Sequence, residues 1–439
     1  MTDLNELAVA MQDLLTTTAD RLACECGFVR RRRKVSGSNF AQALVFAALA
    51  DPRPTESQLQ STAAVVGLVA SRQGIAKRLD DRAAGFLLRL LAAAVDRAVA
   101  SPVAIPLLRR FSAVVALDST VVPLPAALAG TYRGGHSRTT TGVTAAVKLT
   151  VGLDLVSGAL LGPELGDGRA GDLAAPLAQA APPPGGLHLA DLNYFSLEKF
   201  ARWGRDGAFW LSRLKCKTAV YDGRGCRLDL AARLREAGDA DVDQDVVLGG
   251  GRHRVACRLI ARRVPAEVAD LRRRRLRDKS ADRGDRVSAA ALALCDWTVL
   301  VTNVPRGELG VEGALALARM RWQIELLFKL WKSGGGVDRR RGAGAASALC
   351  QLYSKLLAQL VRHWVIVAGA WSMPDRSAAK AAGVVRMLAW SLAAAMGCPS
   401  RLSTVLGHAR RLMGIGARME RRRKSPNAHD MILCLDPGP

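Results

Sequence analysis

The sequence predicts an α/β protein with a mixed-sheet core, a mostly β insertion, and helical regions at both ends of the chain. Three observations predict this class: helix-prone segments up to about residue 105, five strand-like segments between residues 111 and 214, and an amphipathic helix after residue 318. A chain of 439 residues is long enough for several domains and a sizeable core. It contains no internal repeats.

The charge balance indicates a polyanionic partner. Lys and Arg number 63 against 39 Asp and Glu, which gives a formal charge of +24 and a pI near 10.6. Nucleic acid is the commonest polyanion, although the preference for Arg can also follow from a GC-rich genome. A basic membrane-surface protein is the competing interpretation. It is weakened because the arginines are dispersed among core-like segments rather than gathered on one amphipathic helix. No run approaches the about 20 apolar residues of a membrane span, and the best one, 356–371, contains Arg362 and His363.

The cysteines and the N-terminus favour a cytoplasmic protein without a membrane partner. Nine cysteines are scattered, and only Cys24 and Cys26 are close, which is weak evidence for a metal site. Reduced, mostly buried thiols explain them better. The first residues are acidic and lack the cationic and apolar pattern of a leader.

Residues 1–105 predict a helical N-terminal domain. The segment Leu4–Leu22 has apolar residues at helical spacing, and Ala70–Leu79 resembles the short helix of a helix-turn-helix that approaches DNA. The basic run Arg30–Lys34 is equally well interpreted as a solvated turn or as a DNA contact. Pro102 and Pro106 end the domain.

The next region, 106–214, predicts the first part of a catalytic core. Strand-like character is found at residues 111–117, 143–155, 159–161, 187–190 and 208–214. Two of these segments end directly at an acid, Asp118 and Asp191. Functional sites of α/β sheets gather at the carboxyl edge, so these acids are candidate ligands, although Asp118 in Asp-Ser-Thr can also be a turn or helix cap.

Residues 215–305 predict a mostly β insertion, because a hairpin (245–248 and 254–264) and the strand Trp297–Thr302 surround an Arg-rich helix at 271–278. The second part of the core, 306–375, follows with the acidic helix. Residues 376–439 predict a helical C-terminal region with a basic tail.

The helix around residues 318–334 has two unlike faces. At 100° per residue, one stripe contains Arg321, Glu325, Phe328 and Lys332. The opposite side, which can face a core, contains Leu326, Leu327 and Leu330. A solvated helix with Arg321 paired to Glu325 is the simpler alternative.

Three carboxylates on a sheet edge and an adjoining helix can hold two Mg²⁺ or Mn²⁺ ions about 4 Å apart. The candidate ligands are Asp118, Asp191 and Glu325. On the helix, Arg321 can grip a phosphate as a fork and Lys332 can contact it as a point charge.

These residues resemble the DDE transposases of the insertion-sequence-four family, whose core has a ribonuclease H-like fold. The family signature Y-x2-R-x3-E-x6-K is matched by Arg321, Glu325 and Lys332, whereas Ala318 stands at the tyrosine position. The resemblance covers about residues 110–340, and the family also carries a β insertion before its acidic helix. It implies that Trp297 stacks on an extruded base, although packing in the insertion core is equally open.

The resemblance also implies cut-and-paste transposition through a DNA hairpin, with terminal inverted repeats and target DNA as partners and a homodimer as the working state. Further candidate phosphate contacts are Lys329, Lys148, Arg133, Arg138 and His136. Rival acids Asp154, Asp167 and Asp172 are interpreted as solvated turn residues, and His188 as a packed histidine. Two alternatives remain: an endonuclease that does not join strands, and a transposase-derived DNA-binding protein without catalysis.

Overall fold

A computed structural model describes residues 3–31, 34–135, 144–250, 253–282, 284–342 and 344–420. The described chain divides into two compact units. The first is built from residues up to 105, from 118–177 and from 323 onward, and the second from 106–117 and 178–322.

Helices make up both ends of the chain, as the sequence predicts. The first six are α1 Leu4–Asp13, α2 Ala19–Glu25, α3 Gly37–Ala50, α4 Glu56–Val65, α5 Arg72–Ala76 and α6 Asp81–Val95. The last four are α15 Ala345–Ile366, α16 Ala378–Met387, α17 Ala389–Ala395 and α18 Pro399–Gly416. Capping boxes at Ser36 and Thr55 satisfy the first amides of α3 and α4, which explains where those helices begin.

Between these regions, helices and strands alternate. The middle helices are α7 Pro106–Arg109, α8 Pro176–Gln179, α9 Leu197–Arg205, α10 Leu230–Ala237, α11 Ala266–Ala281, α12 Ala289–Ala293, α13 Val311–Met320 and α14 Trp322–Lys329. The strands are β1 Val114–Leu124, β2 Ala145–Asp154, β3 Leu160–Asp167, β4 Leu187–Ala190, β5 Phe209–Arg213, β6 Val220–Tyr221, β7 Val242–Leu248, β8 Val255–Arg263 and β9 Trp297–Thr302.

The strands form one mixed nine-stranded sheet in the order β3-β2-β1-β4-β5-β9-β8-β7-β6. The pairs β1–β4 and β4–β5 are parallel, and the pairs from β5 to β6 are antiparallel. In the second unit, β9 pairs with β5, so the strands of the predicted insertion continue the core sheet. The predicted α/β class with a ribonuclease H-like mixed sheet and helical termini is confirmed.

In the first unit, the 22-residue helix α15 is the centre of packing and is buried on nearly every side. It packs against α3 and α6, and the Arg362 guanidinium inside it donates to Gln359 Oε1 at 2.7 Å. Within the described residues, no single helix is both long and apolar enough to cross a membrane; only the pair α16 and α17, bent by 56°, meets those two requirements together.

The cysteines described by the structure are free, but the expectation that they are mostly buried is wrong. Of these eight thiols only Cys257 and Cys350 are buried. Burial raises the pKa of each of these two to about 12, so both remain protonated thiols.

Candidate active site

The two strand acids occupy matched positions on neighbouring strands. Ala116 on β1 is the partner of Leu189 on β4 in the parallel register. Asp118 lies two residues beyond Ala116, and Asp191 lies two residues beyond Leu189. The prediction that the first strand ends at Asp118 is wrong, because β1 runs to Leu124 through a β-branched stretch. The pairing of β1 with β4, in contrast, ends at Ala116, before Asp118.

Asp191 begins a single 3₁₀ turn and has a cation beside it. Its side chain accepts a 3.5 Å hydrogen bond from the amide of Asn193. Within the second unit, Nη2 of Arg321 lies 3.7 Å from Asp191 Oδ1, and about a fifth of the Arg321 side chain is exposed. Arg321, which is predicted to bind a phosphate, is therefore paired in the absence of DNA with Asp191, one of the candidate metal ligands.

Glu325 lies on α14, half-buried, on a helix anchored by apolar neighbours. Ile324, Leu327 and Phe328 are buried. The prediction that Leu326 faces a core is wrong, because 42% of it is exposed, and Phe328 is not on the open stripe. A break at Arg321 separates α13 from α14, so Arg321 and Glu325 do not lie within one uninterrupted helix.

The helix continues past Lys329, which is exposed, as a π-helical turn at Leu330–Gly334. Lys332 lies in this turn, and its Nζ donates to the carbonyl of Val121 at 3.2 Å. Val121 is three residues after Asp118 on β1, and all of these residues belong to the first unit. The end of the Glu325 helix is thus joined to the strand that carries Asp118.

The strands, acids and helix described above lie within residues 109–361, and the model of the transposase DDE domain family matches this same segment. That match covers more than half of the chain. The chain belongs to this family. The expected membership in the insertion-sequence-four group of DDE transposases is confirmed.

Curated relatives support the same family. The chain is 27% identical over 360 residues to the transposase for insertion sequence element IS231F of Bacillus thuringiensis subsp. israelensis, which covers 77% of this chain and 75% of that relative. It is 26% identical, with the same coverage, to the transposase for IS231B of Bacillus thuringiensis subsp. berliner. A more distant relative, the transposase for IS1151 of Clostridium perfringens, is 22% identical over 41% of this chain and 42% of its own length.

Asp172 is a residue of this transposase-family chain that sequence reasoning underestimated. It was expected to be a solvated turn acid, but its Oδ1 accepts hydrogen bonds from Ser119 Oγ at 2.7 Å and from Lys148 Nζ at 2.8 Å. Burial raises the pKa of this carboxyl, and the bonds from Lys148 and Ser119 outweigh that effect, so the net pKa is lowered. The sequence offered one clue to this role: Ser119, which donates to Asp172, directly follows the candidate ligand Asp118.

The remaining candidate phosphate contacts differ in their surroundings. Lys148 is engaged by Asp172 and also donates to the carbonyl of Ala170. Successive side chains of a strand point to opposite faces, so Ser119 and its partner Lys148 mark the face of β1 opposite Asp118. Arg133 is exposed beside Asp167, with 3.8 Å between Nε and Oδ2. Arg138 and His136 lie outside the described residues.

Trp297 is buried, with 7% of the residue exposed, as the packed alternative expects. Arg272 donates to its carbonyl at 2.8 Å. Stacking on an extruded base would require this ring to leave its packing site. His188 is likewise packed: it is 4% exposed, with its ring centroid 4.8 Å from that of Trp203.

The donor set fits a hard divalent cation. Carboxylate oxygens are the ligands preferred by Mg²⁺ and Mn²⁺, and Asp118, Asp191 and Glu325 are all partly open to solvent. Among the described residues, no three His, Cys, Asp or Glu side chains are gathered tightly enough to hold an ion.

Proposed function

We propose that this transposase performs metal-dependent cut-and-paste transposition of an insertion sequence, with Asp118, Asp191 and Glu325 as the metal ligands. The observation that carries the proposal is the matched position of Asp118 and Asp191 beyond a parallel strand pair, together with the acidic helix whose end bonds to β1. Membership in the transposase DDE domain family supports the same reaction class. The substrate is double-stranded DNA with terminal inverted repeats.

Each protein group has a distinct task in this proposal. The three carboxylates would hold two Mg²⁺ or Mn²⁺ ions, which when bound lower the pKa of an attacking water or 3′-hydroxyl and stabilise the leaving oxygen. Arg321 would turn from Asp191 to a non-bridging phosphate oxygen, because a carboxylate that ligates a cation attracts the guanidinium less strongly. Lys332 offers a second positive charge from the β1 side.

The wider reaction follows from the same phosphoryl chemistry. A nick frees a 3′-hydroxyl, this hydroxyl attacks the opposite strand to form a hairpin, and the reopened end is joined to target DNA. The N-terminal helices would contact the inverted repeats, and the C-terminal helices would join two protomers, so that both ends are held together in bacterial chromosomal DNA. Arg133, Arg138, Lys148 and Lys329 remain proposed phosphate contacts, and Trp297 a proposed base-stacking residue.

A catalytically silent DNA-binding protein is the second candidate, and Ala318 at the family's tyrosine position favours it. The two candidates separate in a reaction of purified protein with linear DNA carrying the element ends and Mg²⁺ or Mn²⁺. Metal-dependent breaks with hairpin termini, followed by joining to a second duplex, support the transposase. Breaks without joining indicate an endonuclease, and tight end binding without breaks indicates the silent protein.

A further inference from the structure

Three consecutive arginines, Arg339–Arg341, follow the Glu325 helix and are all exposed. Two of them are fixed by neutral acceptors. Arg340 Nη1 donates to the carbonyl of Pro123 at 3.0 Å, and Arg341 Nη2 donates to the carbonyl of Arg53 at 3.0 Å. We call Arg339–Arg341 together with Arg53 the basic turn; it lies wholly within the first unit.

Among the described residues, no ion pair holds the arginines of the basic turn, although Asp338 is adjacent and the amide of Arg53 donates to Asp51 Oδ1 at 2.8 Å. The side chains of Arg340 and Arg341 donate to main-chain carbonyls. Several arginines elsewhere are ion-paired instead. In the second unit these pairs are Arg258–Asp243, Arg262–Asp241, Arg263–Asp239, Arg273–Asp296 and Arg306–Asp245. Adjacent unpaired cations repel each other, and this repulsion is relieved when a polyanion binds.

The basic turn is held in place from beneath by α15. The buried Lys355 donates to the carbonyl of Gly336 at 2.9 Å and also to the carbonyl of Arg339. Gly335 lies so close to Gln359 that an added Cβ would be 2.5 Å from its amide. Burial, opposed by Asp338 and assisted by Arg339, Arg341 and Arg53, lowers the pKa of Lys355 to about 8. A fixed turn binds a ligand with little loss of conformational entropy.

Lys332 and Arg340 place positive charge along β1, on the stretch that follows the candidate metal ligand Asp118. Lys332 bonds to the carbonyl of Val121 and Arg340 to that of Pro123, and carbonyls two residues apart on a strand point to the same side. At about 3.3 Å per residue, Pro123 lies roughly 17 Å along β1 from Asp118. That length corresponds to about five base pairs of duplex at 3.4 Å each.

We propose that the basic turn binds the sugar–phosphate backbone of duplex DNA, without base specificity, about five base pairs from the reacting phosphate. This inference rests on the proposed function only in taking DNA as the partner. Arginine forks suit phosphate oxygens, and within the part of the chain that the structure describes these arginines have no ion pair to break before they bind.

The test is DNA binding by the full chain, measured by fluorescence anisotropy without divalent metal over a range of salt concentrations. The variant Arg339→Gln/Arg340→Gln is compared with the control Arg21→Gln/Arg263→Gln. The control also removes two positive charges, but from arginines that are paired with Glu25 and Asp239. Arg339→Gln alone is included because no hydrogen bond or ion pair to a described residue holds the exposed Arg339 side chain, so we expect this variant to fold.

We expect the double variant to reduce the slope of log affinity against log salt by about 1.8, since each lost phosphate contact contributes about 0.9. At about 0.1 M salt this corresponds to roughly 10- to 60-fold weaker binding, equal for duplexes with and without the element ends. The control should stay within about twofold of wild type. An unchanged slope in the double variant, an equal loss in the control, or a loss confined to element ends would overturn the proposal.

These outcomes are independent of catalysis. A protein that never cuts DNA but shows the reduced slope supports the basic turn and contradicts the transposase reaction. A protein that cuts DNA while the double variant keeps the wild-type slope contradicts the basic turn and leaves the proposed function intact.

Discussion

Replacement of Asp172 by Asn should destabilise the first unit, because this carboxylate is the ion-pair partner of Lys148. The Lys148 side chain is 11% exposed and that of Asp172 24%, with 2.8 Å between Nζ and Oδ1. Asn keeps an acceptor for Ser119 but leaves the ammonium without a countercharge. Breaking a fully buried pair costs about 3–5 kcal/mol and an exposed pair about 0–1 kcal/mol, so this partly buried pair should cost about 2 kcal/mol.

Thermal unfolding of the full chain measures this loss. About 2 kcal/mol corresponds to a melting temperature lower by roughly 4 °C if the first unit unfolds cooperatively. The matched control is Glu25→Gln, which breaks the exposed Arg21–Glu25 pair and should cost less than about 0.5 kcal/mol. Equal shifts in Asp172→Asn and Glu25→Gln would refute the reasoning.

The same variant should also change the pH dependence. The folded pKa of Asp172 is lowered from 3.8, so its contribution to stability is present above pH 3.8 and is lost as the pH falls through the folded pKa. The difference between wild type and Asp172→Asn should therefore be constant near neutral pH and shrink below about pH 4. A difference that grows with acid would contradict the assigned ion pair.

Two further outcomes follow from burial. Trp297→Ala should lower the free energy of unfolding by about 3–5 kcal/mol because the ring is buried, whereas Trp322→Ala, at a residue 54% exposed, should change it by less than about 1 kcal/mol; similar values for both would contradict the packing. Burial, with the charge of Lys199, lowers the pKa of His188 from 6.5 to about 3, so the unfolded chain takes up a proton there first and stability falls as the pH drops below 6.5. His188→Leu should flatten that fall in a pH series of melting temperatures, and an unchanged slope would show that other groups cause it.

The bounds of short strands that end at acidic or polar residues were predictable from the sequence. The strand Trp297–Thr302 and the strand Leu187–Ala190 have the predicted bounds, since acidic and polar residues end apolar, β-branched or strand-forming runs there. β1 was cut short because Asp118 was interpreted as a stop. The Thr120–Val122 segment that follows is β-branched and continues the strand.

Features that depend on helix phase or distant partners were not predictable. The buried face of α14 is defined by Ile324, Leu327 and Phe328, and Leu326 lies outside it, so the sequence pattern was assigned to the wrong face of the helix. Asp172 finds its partners 53 and 24 residues away in the chain, and no local pattern encodes such pairing. For the same reason, the ion pair between Arg321 and Asp191, which are far apart in the chain, was not predicted.

The most direct test of the central claim is the rate of metal-dependent end cleavage by Asp118→Asn, Asp191→Asn, Glu325→Gln and the double variant Asp118→Asn/Glu325→Gln. If the three acids hold one metal site, each single variant should lose cleavage by about 10³-fold or more while keeping end binding, and the double variant should lose no more than a single one. Substantial cleavage by any single variant, or losses that multiply in the double variant, would contradict a shared site.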